Sequence, residues 1–179
     1  YRIEGASTGG MLPEIEMATL KKVRGAMIKE YSKLPNSFGA MVKQTDEVKD
    51  WEYFTYVTAG AWRLSADENS MYAIGVPDDA KGGVCYLATF PKVPAKAFFS
   101  ITAYGPGKYL MTDRDNILSS NRRVVTNPDG SFDVAFGGEQ CHKPAPNFVA
   151  TPEDGWSILL RAYRADVDAF TSYTMPEFK

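Results

Sequence analysis

From about residue 70 onward the apolar residues of this chain recur at every second position, and turn-forming residues interrupt them at short intervals. A period of two places successive side chains on opposite faces of an extended strand. The runs that carry it are "MYAIGV" (71–76), "GVCYLATF" (83–90), "AFFSITAYG" (97–105), "RRVVTN" (122–127), "SFDVAFG" (131–137) and "WSILLRAYR" (156–164). A short further strand is expected at "KYLMT" (108–112). The separators are "PDDAKGG", "PKVPAK", "GPG" and "NPDG". Strands this short, with turns this frequent, predict a β-sandwich or barrel. "NPDG" between two alternating runs is a strong hairpin signal.

Upstream the period is different. Residues 13–34 place Ile15, Leu20, Val23, Met27, Tyr31 and Leu34 at mainly three- and four-residue steps, the mark of a helix with one apolar stripe. Pro13, Glu14 and Glu16 suit its first turn, where the helix dipole favours negative charge. "LPNSFG" (34–39) breaks it. A second, shorter helix is expected over 46–64, with Val48, Trp51, Phe54 and Val57 near one face. Within it "YFTYV" (53–57) is also acceptable strand sequence, and "TAGA" (58–61) allows close packing. The expected class is therefore mainly β, α+β overall. Residues 1–12 form a flexible segment containing "GASTGG", 13–66 a helical segment packed on the sandwich, and 67–179 the β-sandwich domain. The chain starts at Tyr1, which leaves open a removed leader or a fragment, and the compartment is unknown.

The charge balance narrows the partners. A net charge of −2, with basic clusters only at Lys21–Arg24 and Arg122-Arg123, argues against nucleic acid. No apolar run approaches the roughly 20 residues that a transmembrane helix needs. The aromatic fraction of 13% fits half-buried pleated surfaces. Cys85 and Cys141 do not make a disulfide framework; they could pair once or be two free thiols.

Two strands have informative faces. Phe99, Ile101 and Ala103 share one face of the 97–105 run, and Phe98, Ser100, Thr102 and Tyr104 share the other. In the last run Trp156, Ile158, Leu160 and Ala162 make an apolar face, opposite Ser157, Leu159, Arg161 and Tyr163. A mixed face is ordinarily a solvated sheet surface or an oligomer contact. The sharper expectation is a pocket lined by Ser100, Thr102, Tyr104, Arg161 and Tyr163.

The order of these segments also resembles a family, the domain of unknown function 1214, whose members often follow a companion domain, 1254. The family pattern F-W-S-x-T-x-Y-D is met here by Phe98-Phe99-Ser100-Ile101-Thr102-Ala103-Tyr104. Its N-x-D-G-S hairpin is Asn127-Pro128-Asp129-Gly130-Ser131. Its N-W-L-P-A-P is Asn147-Phe148-Val149-Ala150-Thr151-Pro152, and its L-R-x-Y is Leu160-Arg161-Ala162-Tyr163. The match runs over about residues 70–179. Phe99 replaces the pattern's Trp, Gly105 replaces its Asp, and the Arg-Tyr pair common between the first two motifs is not evident near "DNILSSN". The resemblance implies a jelly-roll-type β-sandwich with attached helices, sometimes oligomeric, and no established reaction. It also makes "QCHKPAPNFVATPEDGW" (140–156) the long connection to the final strand.

Chemistry is thinly signalled. Cys141 and the lone histidine, His142, are adjacent, and neighbours in an extended chain point to opposite faces, so they are not expected to act as nucleophile and base. His142 could still act alone as a general base. A single His and two distant Cys make no zinc site, and Asp113-Arg114-Asp115 and Asp78-Asp79, which could hold calcium, read more simply as turn residues. No G-x-G-x-x-G, Walker or H-E-x-x-H pattern occurs, so neither a cofactor nor a metal is expected. The expectation is a module that binds a small molecule or saccharide, with Ser100, Thr102, Tyr163 and Asn147 as ligand-binding candidates. Hydrolase or lyase chemistry would use Tyr104 and Arg161, with His142. The alternative is an oligomeric structural protein whose exposed aromatics form subunit contacts.

Overall fold

A computed structural model describes residues 15–61, 64–122, 124–143 and 145–179. The expectations for residues 1–12, for Pro13 and Glu14, and for the end of the second helix at Trp62 and Arg63 fall outside these residues. Two helices, α1 (Met17–Tyr31) and α2 (Trp51–Gly60), precede the strands. These are β1 (Ser70–Gly75), β2 (Tyr86–Phe90), β3 (Ala95–Tyr104), β4 (Ile117–Ser119), β5 (Phe132–Gly137), β6 (Asn147–Ala150) and β7 (Ser157–Ala165). A short helix α3 (Val167–Thr171) follows. The architecture is mixed α+β, dominated by two open sheets.

One sheet has the order β1-β7-β3-β4, the other β2-β5-β6. All pairings are antiparallel except β5 with β6. The alternation seen in sequence decides which faces meet. Ile101, Ala103, Ile158, Leu160 and Ala162 from the larger sheet are buried with Phe90, Phe132, Val134 and Phe136 from the smaller one. Phe99 of β3 stacks on Phe132 of β5 with ring centroids 5.0 Å apart, which joins the two layers directly. Trp156, just before β7, is fully buried against Phe136 and Tyr86.

The helices differ from their expected extents. The 46–64 segment starts with a single 3-10 turn, Thr45–Glu47, and becomes α-helical only at Trp51. There the Asp50 carboxylate accepts the backbone N–H of Tyr53 at 2.9 Å, an N-cap that fixes the start. Val48 lies before this cap, and of the expected apolar face only Val57 is buried. Gly60 does serve close packing: a Cβ there would overlap the ring of Tyr31 on α1. The stripe on α1 is not buried; Ile15, Leu20 and Val23 are exposed, and Met27 and Tyr31 are half-buried.

Among the described residues no strand forms over 122–127 or 108–112. Near the first of these a side chain takes the place of a partner strand. Asn147 on β6 accepts the N–H of Val125 at 2.9 Å and donates to the Val125 carbonyl at 2.9 Å. β4, β6 and α3 are additional to the expected elements. β4 and β6 are too short for alternation to reveal, and each is defined by what it pairs with: β4 by Ser100–Thr102, β6 by Val134–Gly137.

Candidate functional site

β7 lies between β1 and β3, so side chains leaving its outer face are flanked on both sides. Leu160 and Ala162 point into the core, which sends Arg161 and Tyr163 to the opposite face. In register, Arg161 sits between Tyr72 of β1 and Ser100 of β3, and Tyr163 between Ser70 and Phe98.

The Arg161 guanidinium is fixed by two hydroxyls from β3. Nη1 donates to Thr102 Oγ1 at 3.1 Å, and Nη2 donates to Tyr104 Oη at 2.8 Å. Its Cζ lies 5.7 Å from the Tyr104 ring centroid, close enough for a cation–π contribution. On the β1 side a hydroxyl chain runs from Ser65 Oγ to Ser70 Oγ and on to Tyr72 Oη, each step 2.6 Å. Tyr163 stacks on Phe98 at 4.1 Å, which holds its ring in place. Ser65, Asn69, Ser70, Tyr72, Tyr104, Arg161 and Tyr163 line a cavity of about 550 Å³. Small-molecule sites commonly span about 300–1,000 Å³.

Of the expected site residues, Tyr104, Arg161 and Tyr163 come together at this cavity. Thr102 is buried behind it and holds Arg161. Ser100 is also buried, beside Arg161 in register, and is not part of the lining. His142 lies elsewhere, exposed, with its ring centroid 3.7 Å from that of Phe148. Its neighbour Cys141 is joined to Cys85 in a disulfide, which removes the thiol from any nucleophilic role. Among the described residues no three metal-ligating side chains gather as a site, and no helix is long and apolar enough to cross a membrane.

Asn147 belongs to the smaller sheet and is 3% exposed. Besides its two bonds to Val125 it donates to the Asp133 carbonyl at 2.8 Å. Replacing it removes a partner from three backbone groups at once. Asn147→Ala is expected to lower stability by roughly 1–3 kcal/mol in a urea melt. The half of the cavity contributed by Ser65, Asn69, Ser70 and Tyr72 was not expected. Its signal was present: Ser70 and Tyr72 share parity in "SMYAIG", opposite the buried Met71.

The cavity, lined by hydroxyls, aromatic rings and one guanidinium, thus lies on the outer face of one sheet of a two-sheet α+β fold. Residues 69–167, more than half of the chain, match the model of the family described as "Protein of unknown function (DUF1214)", and the chain belongs to that family. The match covers both sheets and leaves α1, α2 and Ser65 outside. Among solved structures, the VPA0106 protein from Vibrio parahaemolyticus is 21% identical with a TM-score of 0.66, over 95% of this chain and 46% of that one. A putative uncharacterized protein from Burkholderia cenocepacia is 14% identical with a TM-score of 0.42, over 94% of this chain and 43% of that one. The first shows a shared fold. The chain spans less than half the length of either. No curated protein matches it.

Proposed function

We propose that this chain is a small-molecule-binding module, with a saccharide-like ligand seated in the cavity over β1, β7 and β3. The observation that carries this reading is the convergence of Arg161, Tyr104, Tyr163 and the Ser65–Ser70–Tyr72 hydroxyl chain on one concavity. Placed hydroxyl and guanidinium donors suit a ligand rich in oxygen. Among the described residues of the lining there is neither a carboxylate nor an imidazole, which favours binding over general-base chemistry. If the two sheets are the layers of a jelly-roll-like sandwich, the site lies on an outer face and leaves the shared core intact.

Chemical-shift titration with a mixed set of monosaccharides, sugar acids and hydroxy acids tests the reading. The amide signals of Ser70, Tyr72, Arg161 and Tyr163 are expected to move. Ser70→Trp, which fills the cavity, is expected to abolish those movements while keeping the dispersed spectrum of a folded chain. Signals that stay still across the whole set refute the assignment.

A second reading, subunit association, draws on the exposed apolar residues Leu20 and Val23 of α1 and Ile15 just before it. Light scattering that reports a monomer at every concentration eliminates it.

A further inference from the structure

Among the described residues the cavity lining carries one charge, and no carboxylate lies within ion-pair distance of it. That charge is Arg161, the only charged residue among the described residues of the lining. Among the described residues no carboxylate forms an ion pair with its guanidinium. Its two side-chain partners, Thr102 and Tyr104, are neutral hydroxyls. They fix the orientation of the group without neutralising it, and they use only part of its N–H donors. A partly buried cation without a counter-ion carries a desolvation cost that an anionic ligand relieves. The planar guanidinium suits bidentate contact with carboxylate or phosphate oxygens. Tyr104 adds to this: its oxygen accepts from Nη2, so its own hydrogen remains to be donated to a second anionic oxygen.

Resting on the small-molecule reading above, we propose that the ligand is a small polyhydroxylated molecule bearing an anionic group. Arg161 and Tyr104 hold the anion, and the Ser65–Ser70–Tyr72 hydroxyls hold the neutral end. A neutral sugar would satisfy the hydroxyl side and leave the guanidinium as it is in the free protein.

The test is calorimetric titration of the full chain with glucose, glucuronate and glucose 6-phosphate, which share a ring and differ in charge. Either anionic sugar is expected to bind at least tenfold tighter than glucose at low ionic strength, and added salt is expected to shrink that advantage. The ranking of the two anions tells carboxylate from phosphate. Arg161→Gln is expected to erase the advantage. Arg161→Lys, which keeps the charge but loses the fork, and Tyr104→Phe, which keeps the ring, are each expected to reduce it several-fold; thermal melts establish that all three variants fold. Equal affinities for the three sugars, all lost in Ser70→Trp, would overturn the anion assignment while leaving the binding site in place. An advantage that survives Arg161→Gln would overturn it too. No binding by any of the three overturns the anion assignment, and together with a silent shift titration it removes the site as well.

Discussion

Replacing Phe136 by alanine is expected to cost about 3–5 kcal/mol of stability, the range for a large aromatic side chain removed from a closed core. Phe136 lies on β5 and is 0% exposed. It stacks on Trp156 at 5.5 Å, meets Phe178 edge-on at 5.4 Å and lies 6.3 Å from Phe90. The contact with Trp156 reaches across from the smaller sheet to the strand entry of the larger one. Truncation therefore opens a void between layers that the surrounding rings cannot fill without leaving their own partners. In urea unfolding the midpoint is expected to fall sharply with little change in slope, because the surface exposed on unfolding is nearly the same. A loss under about 1 kcal/mol would mean that the layers can collapse around the gap.

The second large effect concerns the Cys85–Cys141 bridge. Its Cα atoms are 5.4 Å apart and the cysteines are separated by 56 residues in sequence. A loop of that size predicts about 4 kcal/mol from the chain entropy that the crosslink removes from the unfolded state. The bridge ties the segment entering β2 to the 3-10 turn Glu139–His142 that follows β5. Gly137 makes room for it. Its φ is +140°, and a Cβ there would lie 2.5 Å from Cys141 Sγ and 2.6 Å from the Val84 carbonyl oxygen. The double variant Cys85→Ser, Cys141→Ser is expected to unfold with a midpoint lower by the equivalent of about 2–5 kcal/mol. Dithiothreitol should bring the unmodified protein to the same midpoint. A reduced protein as stable as the oxidised one would show that the bridge constrains nothing. A bridge of this kind persists in oxidising surroundings.

The sheet faces were legible because they follow from parity alone. Ile101 and Ala103, and Ile158, Leu160 and Ala162, are buried as alternation predicts. Half of the cavity followed from the same rule, since Tyr104, Arg161 and Tyr163 lie on the complementary faces of β3 and β7. The other half was not legible. Ser70 and Tyr72 reach the site because β1 pairs with β7, about ninety positions away in the chain, in a register that local sequence does not encode. β6 escaped for a related reason: four residues pairing in parallel with β5 leave no recognisable period. Asn147 illustrates the gap between motif and role. The family pattern drew attention to it, and its amide is spent on backbone groups of Val125 and Asp133 rather than in the cavity. The helices were legible in kind but not in burial. A three- and four-residue period marks α1 correctly, yet its stripe lies exposed because few other described side chains cover it.

β2 is an outer strand of its sheet, and it carries the exposed side chain of Leu87 with exposed Val84 just ahead of it. An open strand rim of that kind is a template on which another chain can zip, the first step toward fibres and precipitates. Here the rim is occupied. Lys179 donates its N–H to the Leu87 carbonyl at 2.9 Å and accepts the Leu87 N–H at 2.8 Å, while Phe178 is seated on Trp156 and Phe136. A charged residue anchored by an aromatic one thus guards the sticky border of the smaller sheet. Removing these two residues is expected to bare that rim and to raise the tendency of the chain to aggregate.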